Sequence, residues 1–180
     1  TTMSWLTIAT FGALPFYLSN MSLDFTNSFF ESMSGITTTG STVIENLEAS
    51  PPGILVWRAL LQWLGGIGVI VMAIAIFPML SVGGMQLFKT ENFEAPEKVI
   101  PRATSLTRGI FFIYSFLTLI WAGLLYFSGM KPFDAILHSM TTIATGGFST
   151  KSSSIGAFDS HIIDWIIILG MVFGSLPFIH

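Results

Sequence analysis

Two short segments of this chain combine hydroxyl side chains, small side chains and glycine, and both lie between strongly apolar runs. The first is Glu31–Thr42 and the second is His138–Ser149. An offset of 107 residues aligns Gly40 with Gly147, and with it Ser32 with Ser139, Met33 with Met140, Ile36 with Ile143 and Thr38 with Thr145. One isolated copy would be read as a turn, but repetition within one chain makes a shared function the better interpretation.

The chemistry that suits these residues is coordination of a cation by main-chain oxygens. An ion crossing hydrocarbon must exchange its water shell for protein oxygens, and neutral carbonyls suit potassium because they bind it without trapping it. Such carbonyls need an extended backbone with glycine where the geometry is unusual. Thr38-Thr-Gly-Ser-Thr42 and Thr145-Gly-Gly-Phe-Ser149 meet this need, with threonine first and glycine third as in the potassium-channel sequence Thr-Val-Gly-Tyr-Gly. The ion-binding residues predicted from this register are Thr38, Thr39, Gly40, Ser41, Thr145, Gly146, Gly147 and Phe148, with potassium held through Thr38, Thr39, Thr145 and Gly146.

Two ionisable residues, Glu31 and His138, occupy equivalent positions at the same offset. Ionisable groups within a membrane are candidates for function by default. A direct role in conduction and a role as a polar anchor behind the filter are both open. The anchor role is favoured because the two side chains differ in charge, so both residues are predicted to support the filter.

The composition indicates an integral membrane protein. Of the 180 residues, 52% are hydrophobic and 9% are charged, and the mean hydropathy is +0.74. A soluble domain carries about a quarter charged residues. The net charge of −3 gives no indication of nucleic-acid binding, and the absence of cysteine excludes disulfides and thiolate chemistry. Both ends fall inside apolar runs, so we expect a segment of a longer chain.

The order of apolar and polar runs predicts an all-α membrane protein made of tandem, parallel repeats of helix, re-entrant pore loop and helix, as in potassium channels. A membrane helix needs about 20 residues, and the run 4–18 supplies most of one. The short helices at Phe25–Met33 (with Thr26 or Asn27 as its N-cap) and Phe133–Met140 are too short to span. Extended backbone at membrane depth requires burial in protein or a wet cavity. The predicted units are 1–88 and 107–180, each with one truncated helix, joined by a linker at 89–106.

The linker is predicted to be cytoplasmic because it is rich in lysine and arginine. The remaining basic residues, Arg58, Lys131 and Lys151, then lie on the outer side. The same face is expected to carry seven acids, which would concentrate cations: Asp24, Glu31, Glu45, Glu48, Asp134, Asp159 and Asp164. Pro78 and Gly83-Gly84 are expected to bend or break the long helix of the first unit.

At these residues the sequence resembles the Trk/Ktr/HKT superfamily of potassium transporters, and most closely the bacterial TrkH/TrkG type of membrane subunit. The matching stretches are Phe29–Gly40, Trp63-Leu-Gly-Gly-Ile-Gly68, Phe77-Pro-Met-Leu80, Gly83-Gly-Met-Gln-Leu87 and His138–Thr150. The resemblance implies four helix–loop–helix units around one potassium pathway, of which this chain looks like the first two. Gly146 stands where the first copy has Thr39, so the ring would not be four-fold exact.

The resemblance also implies function and partners. It implies potassium uptake as the ion-conducting subunit of a Trk-type system, as a homodimer in the bacterial inner membrane. The expected partners are the lipid bilayer and a cytosolic nucleotide-binding regulatory subunit, with potassium as substrate and no bound cofactor.

Three other classes of function were weighed against potassium conduction. An ion-coupled solute symporter with broken helices would predict inverted repeats, whereas these copies read as parallel. An intramembrane enzyme would need paired ionisable or nucleophilic groups within the spans, and the spans contain almost none. A purely structural membrane subunit leaves the hydroxyl-rich repeats unexplained.

Overall fold

A computed structural model describes residues 2–80 and 99–176, with side chains described within 3–72 and 108–176. This part of the chain is helical, with no strand. Its α-helices are α1 Thr2–Tyr17, α2 Phe25–Ile36, α3 Pro52–Leu80, α4 Val99–Phe127, α5 Pro132–Ile143 and α6 His161–Ser175. A short 3₁₀ helix, Ser154–Phe158, lies between α5 and α6. The predicted order of long helix, short helix, loop and helix is therefore present twice.

The repeat extends to the backbone of the short helices. Helices α2 and α5 each have 12 residues, and both of their ends are separated by the offset of 107. After α2, the N–H of Thr39 donates to the carbonyl of Ser34 at 2.9 Å, and after α5 the N–H of Gly146 donates to that of Thr141 at 2.8 Å. The two helices therefore end in the same hydrogen-bonded turn, which supports the prediction of two like units.

That turn is a Schellman motif, in which the chain leaves the helix through a left-handed residue. Thr38 and Thr145 occupy this position with φ of 55° and 51°. Left-handed backbone is costly for an L-residue and unusual for a β-branched one. Strained backbone persists only where the surrounding structure imposes it. The same strain in both copies therefore indicates that the fold requires this turn at the end of each short helix.

The start of α2 differs from the sequence prediction. Neither Thr26 nor Asn27 is the N-cap. Asp24 is, and its carboxylate accepts from the N–H of Asn27 at 2.9 Å. A carboxylate at this position satisfies an orphan N–H and also lies favourably at the positive end of the helix dipole. At α5 the N-cap residue Lys131 makes no side-chain cap bond, and Pro132 begins the helix.

The long helices are suited to a membrane. Pro52–Met72 and Arg108–Phe127 are long and apolar enough to cross a bilayer, while the 15 residues of α6 form a shorter apolar helix. Phe116 and Leu119 on α4 are 63% and 71% exposed. Exposed apolar surface of this extent marks contact with lipid or with another protein surface.

Helix α4 begins at Val99, within the stretch 89–106 that the sequence analysis assigns to the linker, and α3 ends at Leu80, two residues after Pro78. The rest of the linker from residue 89 to 98, and the Gly83-Gly84 pair, lie outside the described residues.

The two units share a core where α3 packs against α4 and α5. Tyr114 and Ile143 are buried there, with Trp63 packed against them. The indole N–H of Trp63 donates to the hydroxyl of Thr118 at 3.0 Å. The last long helix of the first unit is therefore fixed against the second unit, and this contact brings the two loops together.

We expect Gly65→Ala to destabilise the protein, because a Cβ at Gly65 would overlap the carbonyl oxygen of Ile36 at the end of α2. Overpacking of this kind costs about 1–3 kcal/mol. Gly123→Ala is the matched control. Its Cβ would meet nothing within 4 Å, and alanine favours helix over glycine by about 1 kcal/mol. The melting temperature of the purified protein should fall for Gly65→Ala only, and equal behaviour of both variants would contradict the close approach of α2 and α3.

Candidate functional site

The two segments predicted to bind the ion lie in contact. Gly40 and Gly147, the third positions of the two segments, have φ of +81° and +83°, in the region that favours glycine. Gly40 lies directly against the second segment, since a Cβ there would overlap the carbonyl oxygen of Gly146. The packing of α3 against α5 therefore brings the equivalent segments of the two units into contact.

Several main-chain oxygens of these segments are available to a ligand. Among the described residues, no hydrogen bond reaches the carbonyls of Thr38, Thr39, Gly40, Thr145, Gly147 and Phe148. Two of the predicted residues differ. The carbonyl of Ser41 accepts from the hydroxyl of Ser34 at 2.6 Å, and that of Gly146 accepts from the amide of Gln62 at 2.9 Å. The set of unengaged carbonyls is thus six of the eight residues that the sequence singled out.

Glu31 lies behind the first segment and is fully buried. Its carboxylate accepts from the hydroxyl of Thr42 at 2.9 Å, from the N–H of Val43 at 3.0 Å and from Nε of Arg58 at 2.7 Å. A buried carboxylate needs such partners because its desolvation is otherwise very costly. These contacts agree with a supporting role for Glu31 rather than with direct contact to a passing ion.

His138 makes the corresponding contacts behind the second segment. It is 1% exposed, and its Nε2 lies 2.9 Å from the hydroxyl of Ser149. Its Nδ1 lies 2.8 Å from the carbonyl of Asp134. Because Ser149 is the equivalent of Thr42, Glu31 and His138 contact the hydroxyl at the same position of the repeat, although one is a carboxylate and the other an imidazole.

Two of the seven acids predicted to face outward are in fact buried. Glu31 pairs with Arg58, and Asp134 is 6% exposed with its carboxylate accepting from the hydroxyl of Thr150. Arg58, which the sequence predicts on the outer side, is 1% exposed. Because these charged side chains are buried and engaged by neighbouring groups, they do not lie on an outer surface and do not contribute to an acidic mouth.

Arg58 and Gln62 are the functional candidates that the sequence analysis missed. Both lie on α3, fully or almost fully buried, and both contact the second segment. The guanidinium Nη1 of Arg58 donates to the carbonyl of Ser149 at 2.9 Å. An available signal was the isolation of Arg58 within an otherwise apolar run, since a charge there must find a partner.

The outer loops of the two units are joined at Ser152. Its hydroxyl and its N–H donate to the carboxylate of Glu48 at 2.6 and 2.9 Å. The oxygen of the same hydroxyl accepts from the N–H of Leu47 at 3.1 Å and lies 3.2 Å from the carbonyl oxygen of Glu45. This latch holds the loops that follow the two segments together.

The latch should weaken in acid. The hydrogen bonds from the Ser152 side chain and backbone lower the pKa of Glu48 below its usual value of 4.5. A lowered folded-state pKa means that the contribution is present above about pH 4.5 and is lost as the pH falls through the lower folded value. The melting temperature of wild type should exceed that of Glu48→Gln at neutral pH by a small margin, because the group is exposed, and the margin should shrink as the pH falls through the lowered folded-state pKa. Glu45→Gln, which removes a charge but keeps the latch, is the control, and a pH-independent margin would contradict the assignment.

The fold and site define a class: a helical membrane protein in which tandem re-entrant pore-loop units bring glycine-containing segments together. A family model described as a TrkH cation transport protein matches residues 1–179. The chain therefore belongs to the TrkH family of cation transport proteins.

Relatives and a solved structure agree with this membership. The Trk system potassium uptake protein TrkI of Halomonas elongata is 47% identical over 180 residues, covering 99% of this chain and 37% of that protein. TrkH of Escherichia coli is 48% identical over 167 residues, covering 91% of this chain and 34% of that protein. The crystal structure of the potassium transporter TrkH from Vibrio parahaemolyticus superimposes with a TM-score of 0.80 at 41% identity, covering 93% of this chain and 33% of that chain. The chain thus spans about a third of the length of the relatives it matches.

Proposed function

We propose that this chain forms part of a potassium pathway and contributes two of its selectivity-filter segments. The observation that carries the proposal is the contact of Gly40 with Gly146, between segments whose carbonyls are largely unengaged by the protein. The activity is potassium uptake across the cell membrane, as the ion-conducting subunit of a Trk-type system. It is transport and not catalysis.

The electrostatics of the site support a cation. Each segment begins at the C-terminal end of a 12-residue helix, where the helix dipole is negative. Neutral carbonyls then replace the water around the ion without adding a full charge that would hold it. The buried Glu31 does not alter this, since Arg58 neutralises it.

The coordinating oxygens fall on the two segments. The proposed ligands are the carbonyls of Thr38, Thr39 and Gly40 in the first, and those of Thr145, Gly147 and Phe148 in the second. A carbonyl oxygen has two lone pairs, so Ser41 and Gly146 keep one that the protein does not use and remain in the proposed set. Glu31 and His138 support the filter from behind.

The complete pathway requires more chain than the one described. The proposal is that these are the first two of four units, because the relatives are about three times as long. The full polypeptide would be a homodimer in the bacterial inner membrane, with multiple spans and a cytosolic nucleotide-binding regulatory partner. The names of the relatives refer to a Trk system for potassium uptake, which supports a role of the full polypeptide in such a system.

A symporter with inverted repeats is less well supported. Its two halves would run through the membrane in opposite directions. Here each unit consists of a helix, a short helix with its loop, and a further helix. Two crossings per unit would return the chain to the side on which it started, so both units would have the same orientation.

The test is ion flux through the full-length polypeptide in proteoliposomes. Uptake of radioactive rubidium should be driven by an outward potassium gradient, and external potassium or rubidium should compete strongly while sodium competes weakly. Liposomes without protein are the control for leakage. Equal competition by sodium, or the absence of rubidium uptake, would contradict the proposed potassium pathway.

A further inference from the structure

The second filter segment is held by a helix that belongs to the first unit. Arg58 and Gln62 are four residues apart on α3, and side chains with this spacing share one face of a helix. Arg58 reaches the carbonyl of Ser149, and Gln62 reaches Gly146. The first unit therefore determines part of the geometry of the second.

Arg58 links the outer ends of both segments. Its Nε donates to Glu31, which in turn accepts from Thr42 and Val43 at the end of the first segment. On its other side the guanidinium donates to the carbonyl of Ser149 and lies 4.0 Å from the centroid of the Phe148 ring. Because guanidinium is planar with several fixed donors, it can hold a carboxylate and a carbonyl together in a defined geometry.

Gln62 fixes two peptide groups of the second segment. Its amide nitrogen donates to the carbonyl of Gly146 at 2.9 Å, and its amide oxygen accepts from the N–H of Phe148 at 3.0 Å. These bonds set the orientation of the peptides on both sides of Gly147. Rotation of either peptide would redirect a carbonyl, so Gln62 selects which oxygens are left for the ion.

The position of the Gln62 side chain explains one difference in sequence between the two copies. Gly146 stands where the first copy has Thr39, and a Cβ on Gly146 would overlap the side-chain amide of Gln62. In the first copy the hydroxyl of Thr39 lies 2.8 Å from that of Thr37. The glutamine amide thus occupies the space that a side chain would take, and glycine is required there by contact.

The arrangement is not repeated in the second unit. Helices α3 and α6 correspond at an offset of 109, since a Cβ at Gly174 would overlap the carbonyl oxygen of Ile143 as one at Gly65 would overlap that of Ile36. The residues equivalent to Arg58 and Gln62 are therefore Ile167 and Met171 on α6. Neither side chain can donate a hydrogen bond, and the thioether of methionine is only a weak acceptor. Within the described residues, the arginine–glutamine clamp is therefore specific to the junction of α3 with the second segment.

We propose that Arg58 and Gln62 are positioning residues that set the ion selectivity of the second filter segment. The proposal rests on the proposed potassium function and adds to it the residues that orient one segment. It predicts that selectivity depends on side chains that no ion touches, and that Gln62 and Gly146 act as a coupled pair.

The test uses Gln62→Leu in the full-length polypeptide, because leucine is of similar size but removes both hydrogen bonds. Sodium competition against rubidium uptake should strengthen by about tenfold, the effect of losing one to two net hydrogen bonds. The free energy of unfolding, followed by the melting temperature, should change by less than the free energy that corresponds to this tenfold shift. Val69→Ala, an exposed position on the same helix, is the control and should retain the wild-type ratio.

The coupling is tested by a double-mutant cycle with Gly146→Ala. This change alone should abolish selectivity, because the new methyl overlaps the amide of Gln62. In a Gln62→Ala background the methyl has room, so the added loss should be much smaller than in wild type. Additive losses, or an unchanged ratio in Gln62→Leu, would overturn the proposal while wild type still prefers potassium. A wild type without that preference would instead overturn the function on which the proposal rests.

Discussion

Replacing Gly40 with alanine is expected to remove most of the preference for potassium over sodium, and to do so more severely than replacing Gly147. Both glycines have φ near +80°, where a Cβ is strained. Only at Gly40 would the new methyl also overlap the opposite segment, at the carbonyl oxygen of Gly146. A Cβ on Gly147 meets nothing within 4 Å.

The magnitudes follow from these two causes. Backbone strain at a single residue costs of order 1–3 kcal/mol, which corresponds to about five- to 150-fold in a ratio of affinities. Gly147→Ala should lose selectivity by this route alone. Gly40→Ala adds a displacement of the second segment, so its loss should be clearly larger.

Sodium competition against rubidium uptake, at equal amounts of reconstituted protein, measures both losses. Membrane insertion and yield should remain, since neither glycine lies within a spanning helix. Gly123→Ala, on α4 at a position where a Cβ would meet nothing within 4 Å, serves as the control. Equal losses at Gly40 and Gly147 would contradict the close approach of the two segments, and unchanged selectivity in both variants would count against the filter assignment itself.

The helical architecture could be predicted from the sequence because its signals are local. Apolar runs longer than a bilayer requires, short polar-flanked helices and a glycine that permits positive φ each depend on neighbouring residues only. The same is true of the repeat, which is visible as matched residues at one offset. These features led to both short helices and to the glycines of the site.

The supporting contacts could not be predicted in the same way, because they join residues distant in sequence. Gln62 contacts Gly146 across 84 positions, and Arg58 contacts Ser149 across 91. No local pattern in α3 distinguishes a glutamine that faces a filter from one that faces another helix. The sequence did reveal that Gly146 departs from the first copy, but the cause required the position of the Gln62 amide.

The sequence analysis was less accurate for the backbone at the ends of the two short helices. The N-cap of α2 was placed at Thr26 or Asn27, whereas Asp24 caps the helix, because several adjacent residues have suitable oxygens. The left-handed conformation of Thr38 and Thr145 was not anticipated, since β-branched residues disfavour it. It is imposed by the turn that leads from each short helix into the extended segment.

The second large effect is expected from breaking the buried pair of Glu31 and Arg58. The side chains are 0% and 2% exposed, and Nε lies 2.7 Å from the carboxylate. Removing one partner of a buried pair leaves an uncompensated charge and costs about 3–5 kcal/mol. Glu31→Ala should therefore lower the melting temperature sharply, and it should also release the hydroxyl of Thr42 and the N–H of Val43.

A variant with both charges removed separates stability from selectivity. Replacing a whole buried ion pair with apolar residues of similar volume is often neutral or stabilising. Glu31→Leu combined with Arg58→Met should therefore recover part of the stability that Glu31→Ala loses. Selectivity should not recover, because the bonds from Arg58 to Ser149 and from Thr42 to Glu31 are still absent.

Melting temperature and sodium competition, measured on the same preparations, distinguish the two roles. If the pair acted only to hold the fold together, the double variant would regain stability and potassium preference in parallel. If it acts on the filter, stability returns while the preference stays low. Glu48→Gln, which removes an exposed acid from the outer loop and leaves the buried pair intact, controls for the change in charge and should retain the wild-type preference at neutral pH.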